Sequence, residues 1–203
     1  MDKREHIIHS ALALFAEKGF DNTSIREIST KAGVNVAMVN YYFGSKEKLF
    51  EAMIEHKSHY LKTRLAQIAG DDSIDEMEKI RILIHDYVSR ILTNPHYHRV
   101  LHQQMLLNAR PELNTMIRCM FLDNTVHIRK IFDDGIRKGI FREVDIELTI
   151  ISIFGTINQF LQRAYLFTDN AEELNHSEYP EALKTRLEKH LQQLMEAHLL
   201  KQA

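Results

Sequence analysis

Between Thr23 and Lys46 the sequence spells two short helices separated by a turn that glycine makes most readily, and the rest of the chain must accommodate that unit. Ser24 and Glu27 have the S-x-x-E spacing of a capping box, in which each side chain satisfies a backbone N–H at a helix start. Ile25, Ile28 and Ala32 then share one face. Gly33 stands where a helix reverses through left-handed backbone, which a residue without Cβ adopts without a clash. Asn35 suits the N-cap of the next helix, and Val39 and Phe43, four apart, supply its inward face. Such a pair is either a plain αα-corner or the helix-turn-helix of DNA-binding proteins, whose second helix enters the major groove.

At 203 residues the chain can bury a core in one domain or in two small ones. Three prolines, seven glycines and 44% hydrophobic residues suit long helices better than strands and turns, so an all-α fold is expected. A single cysteine excludes an internal disulfide and fits a reducing compartment. No N-terminal apolar run reads as a secretory signal, and no run of about 18 apolar residues is available to cross a bilayer. A cytoplasmic protein with no membrane partner is expected. The net charge of −2 argues against unspecific coating of nucleic acid. Residues 1–64 carry ten Lys and Arg against eight Asp and Glu, whereas 65–203 carry sixteen against twenty. That gradient suits a protein that meets phosphate with one end.

Residues 3–18 read as a first helix, with Ile7, Ile8, Ala11, Leu12, Leu14 and Phe15 at helical spacing. Lys3 and Arg4, within reach of phosphate, read as a solvated terminus. Ser45 caps a fourth helix whose inner face holds Leu49, Phe50, Met53, Tyr60 and Leu61, broken at Gly70-Asp71-Asp72. The boundary between a reading domain, 1–50, and a helical remainder, 51–203, is expected at that helix. Ser73 and Glu76 repeat the S-x-x-E spacing before Met77, Ile80, Ile84 and Val88. Pro95 and Pro111 open two more helices, the second ending near Lys138. Asp145 and Glu147 lead a penultimate helix whose centre, residues 148–157, is apolar nearly all round and therefore covered on more than one side. Gly155 within it costs about 1 kcal/mol relative to alanine, which a close helix contact would explain. After the polar stretch 168–178, Pro180 starts a last helix with Leu183, Leu187, Leu191, Leu194 and Met195 on one stripe. That stripe packs either within the chain or against a second copy.

The runs Phe15-Ala16-Glu17-Lys18-Gly19-Phe20, Thr23-Ser24 with Ile28, Ala32-Gly33-Val34, and Tyr41-Tyr42-Phe43-Gly44-Ser45-Lys46-Glu47-Lys48-Leu49 resemble the N-terminal domain of the TetR family of bacterial transcriptional regulators. Gly135-Ile136-Arg137-Lys138-Gly139-Ile140-Phe141-Arg142 adds a weaker resemblance further on. The likeness implies a three-helix helix-turn-helix DNA-binding domain joined to a C-terminal helical bundle that binds a ligand and dimerises. By position it implies a DNA-binding set of Ser24, Asn35, Val36, Ala37, Met38, Asn40, Tyr41, Tyr42 and Lys46. Within it Ser24, Tyr42 and Lys46 hold phosphate, and Val36, Ala37, Met38, Asn40 and Tyr41 face the groove. The last two helices meet their copies in a homodimer, placing Ile151, Gly155, Leu183, Leu187, Leu191 and Leu194 at the interface.

The same resemblance implies repression of an operator in double-stranded DNA, released by a small-molecule effector. Polar side chains on apolar helices are the pocket candidates, namely Arg118, His127, Asn158, Gln162 and Tyr165, with Met105, Met120, Phe121 and Phe154 as walls. The mixture suits a fairly large, mostly apolar effector; no cofactor is implied. His96, His98 and His102 are spaced closely enough to hold a metal, but twelve histidines are present and partner-bonded roles are the default, so no metal site is assigned. As a nucleophile or redox switch Cys119 lacks an identifiable basic partner, and it reads as a buried helix thiol. An enzyme would need a catalytic motif, and the sequence has no phosphate loop, nucleophile elbow or paired metal motif. A helical protein–protein module is the other alternative class.

Overall fold

The computed structural model describes residues 2–93, 95–107, 110–163 and 179–201. Among them the regular elements are all helices: α1 (Lys3–Lys18), α2 (Ile25–Lys31), α3 (Val36–Phe43), α4 (Lys46–Gly70), α5 (Glu76–Thr93), α6 (Pro95–Leu107), α7 (Pro111–Arg137), α8 (Ile146–Arg163) and α9 (Glu181–Leu199). They group into two compact units, Met1–Thr63 with His96–Asp123, and Arg64–Pro95 with Asn124–Ala203. The grouping cuts through α4 and α7, because each of these long helices lends one apolar stretch to each core.

In the first unit α1–α4 close around Phe15, Phe20 and Phe50, whose rings meet pairwise at 5.2, 5.8 and 5.3 Å. Offset or edge contacts of this kind add about 0.5–1.5 kcal/mol per pair to the burial itself. Tyr97, Val100 and Leu101 of α6 and Leu113 and Ile117 of α7 belong to the same core. Cys119 lies on the outer side of α7, exposed rather than buried as its sequence context suggests, because Ile117 takes the inward position.

In the second unit the apolar stripe of α5, with Ile80, Ile84, Val88 and Ile91, shares a core with α9. Leu183, Leu187 and Leu191 are buried in that core. They pack within the chain's own core. A stripe repeated every four residues serves either partner equally well, and here α5 supplies the complementary face. An ion pair from Arg81 to Glu196 and a contact between His85 Nδ1 and Glu188 at 3.0 Å run along its edges. Of the six expected interface residues, Ile151, Gly155 and Leu194 remain exposed.

The start of α5 departs from the S-x-x-E expectation. Ser73 turns back to Asp71, and Asp75 becomes the cap, its Oδ1 accepting from the N–H groups of Met77 and Glu78 at 2.9 and 3.0 Å. Glu76 is drawn inward instead, where its Oε1 accepts from Lys138 at 2.8 Å and from Lys79 at 3.3 Å. At the far end of α7, Gly135 is required by a close approach: a Cβ there would lie 2.2 Å from the ring of Phe141.

Candidate nucleic-acid interface

The local signals between Thr23 and Lys46 form as the sequence predicts. The Ser24 hydroxyl accepts from the Glu27 N–H at 3.2 Å, and Glu27 Oε2 accepts from the Ser24 N–H at 2.8 Å, which completes the capping box. Lys18 donates to the other carboxylate oxygen at 2.8 Å. Lys18, followed by the bonds from Ser24, holds the Glu27 carboxyl down at about 2. Gly33, at φ +62°, makes the left-handed step between α2 and α3. Asn35 then caps α3, its side-chain oxygen accepting from the Met38 N–H at 2.7 Å.

Val39 and Phe43 face the core, so the opposite side of α3 faces solvent. Val36, Ala37, Asn40, Tyr41 and Tyr42 are exposed, Tyr41 to 84%. The Tyr41 and Tyr42 rings meet edge to face at 5.4 Å, which stiffens a bulky ridge beside the helix. Met38 is less exposed than its neighbours on this side of α3. It is half-buried and packs against the core of its own unit.

Two of the three expected phosphate ligands are already engaged within the chain. The Ser24 hydroxyl donates to Glu27 Oε2 at 2.8 Å. Lys46 donates to the carbonyls of Phe20 and Thr23 at 2.8 Å and of Asp21 at 3.4 Å, and its ammonium lies 4.4 Å from the Phe20 ring centroid. Burial, and next the nearby Arg110 charge, push its pKa below the usual lysine value. With three carbonyl acceptors around three N–H donors, Lys46 holds the α1–α2 turn in place. Lys46→Met is expected to destabilise the first unit by about 1.5–3 kcal/mol, as for bonds to a charged donor. The salt dependence of DNA binding should stay unchanged, whereas removal of a phosphate ligand would flatten its slope by about one. Unfolding curves and binding titrations at several salt concentrations separate the two.

Tyr42 keeps its free surface. Among the described residues Lys3, Arg26 and Lys31 are exposed and enter no ion pair. Helix α1 begins at Lys3, so Lys3 and Arg4 sit on ordered backbone, and the Arg4 guanidinium lies 5.4 Å from the Phe43 ring centroid at the end of α3. A cation stacked on an aromatic ring of the reading helix is the signal that the sequence hid, since residues 4 and 43 are distant along the chain.

The expected effector residues divide between the two units. Met105, Arg118 and Phe121 belong to the first, and Met105 and Arg118 point outward. His127, Phe154, Asn158 and Gln162 belong to the second, where Gln162 is exposed and Phe154 packs edge-on against Tyr87 at 4.9 Å between ring centroids. Neither unit by itself holds the whole expected set. Tyr165 lies outside the described residues. No helix among the described residues is long and apolar enough to cross a membrane.

A capped α2, a left-handed glycine step and a capped α3 that turns its outer side to solvent have the form of a helix-turn-helix. Comparison with known proteins narrows this. The sequence pattern of the tetR-family bacterial regulatory proteins matches residues 7–53, and that of the tetracyclin repressor-like C-terminal domain matches residues 73–162. The HTH-type transcriptional repressor NicS of Pseudomonas putida is 33% identical over 145 residues, covering 69% of this chain and 66% of that protein. The probable HTH-type transcriptional regulator YttP of Bacillus subtilis is 38% identical over 99 residues, covering 48% of this chain and 46% of that one. The chain therefore spans under two thirds of either relative. A putative fatty acid metabolism regulator from Clostridium perfringens has the same fold, with a TM-score of 0.76 at 21% identity over 93% of this chain and 97% of that chain. So does FadR from Bacillus subtilis, crystallised in complex with stearoyl-CoA, with a TM-score of 0.71 at 22% identity over 92% and 96%. The chain belongs to the TetR family of bacterial regulatory proteins.

Proposed function

We propose that this protein is a cytoplasmic transcriptional repressor that binds a palindromic operator as a homodimer and is released by a largely apolar small molecule. Residues 1–50 read the DNA, and residues 51–203 pair the copies and sense the effector. The observation that carries this reading is the outer side of α3, where Val36, Ala37, Asn40 and Tyr41 stand exposed on a helix capped at its start and anchored by Val39 and Phe43. Apolar Val36 and Ala37 suit thymine methyl groups, and the Asn40 amide can pair with adenine through two hydrogen bonds. Tyr42, Arg4, Arg26 and Lys31 supply the sequence-independent attraction to phosphate.

A single short helix reads too few base pairs for a genome-wide choice, so pairing is part of the function. The exposed row of α8, with Leu148, Ile151 and Gly155, is the surface offered to a second copy. Among the described residues, its own helix's backbone aside, nothing comes within 4 Å of a Cβ built on Gly155, which leaves room there for a neighbouring helix. The effector works by population shift: it must bind the form with low DNA affinity more tightly, and DNA must then oppose effector binding to the same degree.

Asn40→Ala tests the reading directly. Its expected effect is a loss of preference at one base pair of each half-site, worth about 1–3 kcal/mol, with the other positions unchanged. Competition binding with single-position operator variants measures it. An equal loss for every variant would assign Asn40 to the backbone and remove it from the base-reading set.

A further inference from the structure

Arg110 immediately precedes Pro111 and opens α7, its carbonyl accepting from the N–H groups of Leu113 and Asn114, each at 3.1 Å. A residue before proline is kept out of helical backbone, so this side chain leaves the helix start in a fixed direction. Its guanidinium meets three groups of the reading head. Nε donates to Asp21 Oδ1 at 2.8 Å, Nη1 donates to Glu47 Oε1 at 3.3 Å, and Cζ lies 5.1 Å from the Phe20 ring centroid. Asp21 sits in the turn between α1 and α2, and Glu47 in the first turn of α4. The same Phe20 ring carries the Lys46 ammonium, which itself holds the carbonyls of that turn. The turn that launches the helix-turn-helix is therefore fastened by two cations. One comes from α4, and the other comes from the start of α7.

We propose that Arg110 is a positioning residue for DNA binding: it locks the α1–α2 turn to the first turn of α4 and thereby sets the orientation of the α2–α3 pair. The start of α7 becomes the point at which a movement of that helix reaches the reading surface. This rests on the DNA-binding reading above and adds a regulatory element to it. Arg110 is not itself a phosphate ligand, since its donors face two carboxylates and its plane lies near an aromatic ring. Its ion pairs are about one-third to one-half exposed, and pairs of that kind add little to global stability. Their loss should therefore appear in binding geometry before it appears in unfolding.

The test uses the full chain and two duplexes of equal length, one enriched by the wild type from a random pool and one scrambled. Arg110→Gln, Asp21→Asn and the double variant are compared by titration at several salt concentrations, alongside thermal unfolding. The expected result is that Arg110→Gln lowers affinity for the enriched duplex on the order of tenfold, as for members of one network. Binding to the scrambled duplex, the salt slope and the unfolding midpoint should stay as in the wild type. Asp21→Asn should match it, and the double variant should lose no more than either single one. Unchanged affinity of Arg110→Gln for the enriched duplex overturns the proposal. So does a loss on both duplexes with a flatter salt slope, which marks a direct phosphate contact. Independent, multiplying effects of the two substitutions also overturn it. A wild type that enriches no duplex overturns the DNA-binding reading and this proposal with it.

Discussion

Glu76→Leu is expected to cost the second unit about 3–5 kcal/mol, the range for stranding one partner of a buried ion pair. Glu76 and Lys79 are each only 1% exposed, and the carboxylate is shared by Lys79 and Lys138. Burial pushes the Glu76 carboxyl up, but hydrogen bonds from Lys138 and Lys79 outweigh it and hold the group below its ordinary value of 4.5. Leucine fills similar volume, so the loss would come from the Lys79 ammonium left without an anion. Lys79→Met should be far milder, because it removes the buried cation and leaves Glu76 paired with Lys138. Because the folded carboxyl titrates lower than the unfolded one, its contribution is complete above pH 4.5 and is lost as the pH falls through the folded value. Urea unfolding at neutral pH measures the difference between the two variants. Equal and small losses would mean that water, not Glu76, solvates Lys79.

Ile151→Glu is expected to convert the proposed dimer to a monomer and to lower operator affinity by about 10²–10⁴-fold, the gain that simultaneous engagement of two sites supplies. The side chain is 61% exposed within one chain and its neighbour Leu148 60%, so a charge there should leave the monomer's fold intact. In a helix-to-helix seam the same carboxylate would be desolvated opposite its own copy. Sedimentation and DNA titration check both halves of the expectation. A dimer that persists with full affinity would move the pairing surface away from α8.

The helix-turn-helix was legible because its signals are local. A capping box at Ser24 and Glu27, a left-handed step at Gly33 and a cap at Asn35 each act within four residues, and all three form. The starts of α6 and α7 were legible from Pro95 and Pro111 for the same reason. What escaped depends on partners far along the chain. Lys46 reads in sequence as a phosphate ligand, and its hydrogen bonds to three backbone carbonyls more than twenty positions away could not be read from spacing. Arg110 reaches 89 positions back to Asp21, which no spacing rule reveals. The S-x-x-E run at Ser73 failed because two lysines compete for Glu76, and Asp75 was free to cap in its place. The leucines of α9 carried the right period but no information about which surface they would meet. Buried polar positions for an effector were hardest of all, since half-buried residues such as His127 and Asn158 look alike in sequence whether they face a ligand or a neighbour.

Selection of duplexes from a random pool by the intact protein, with sequencing of the bound fraction, tests most directly whether two copies of α3 read DNA together. The account predicts a near-palindrome whose half-sites are centred about 34–36 Å apart, one turn of the double helix, or a whole multiple of it. Enrichment of no sequence, or of a single site without dyad symmetry, would contradict it.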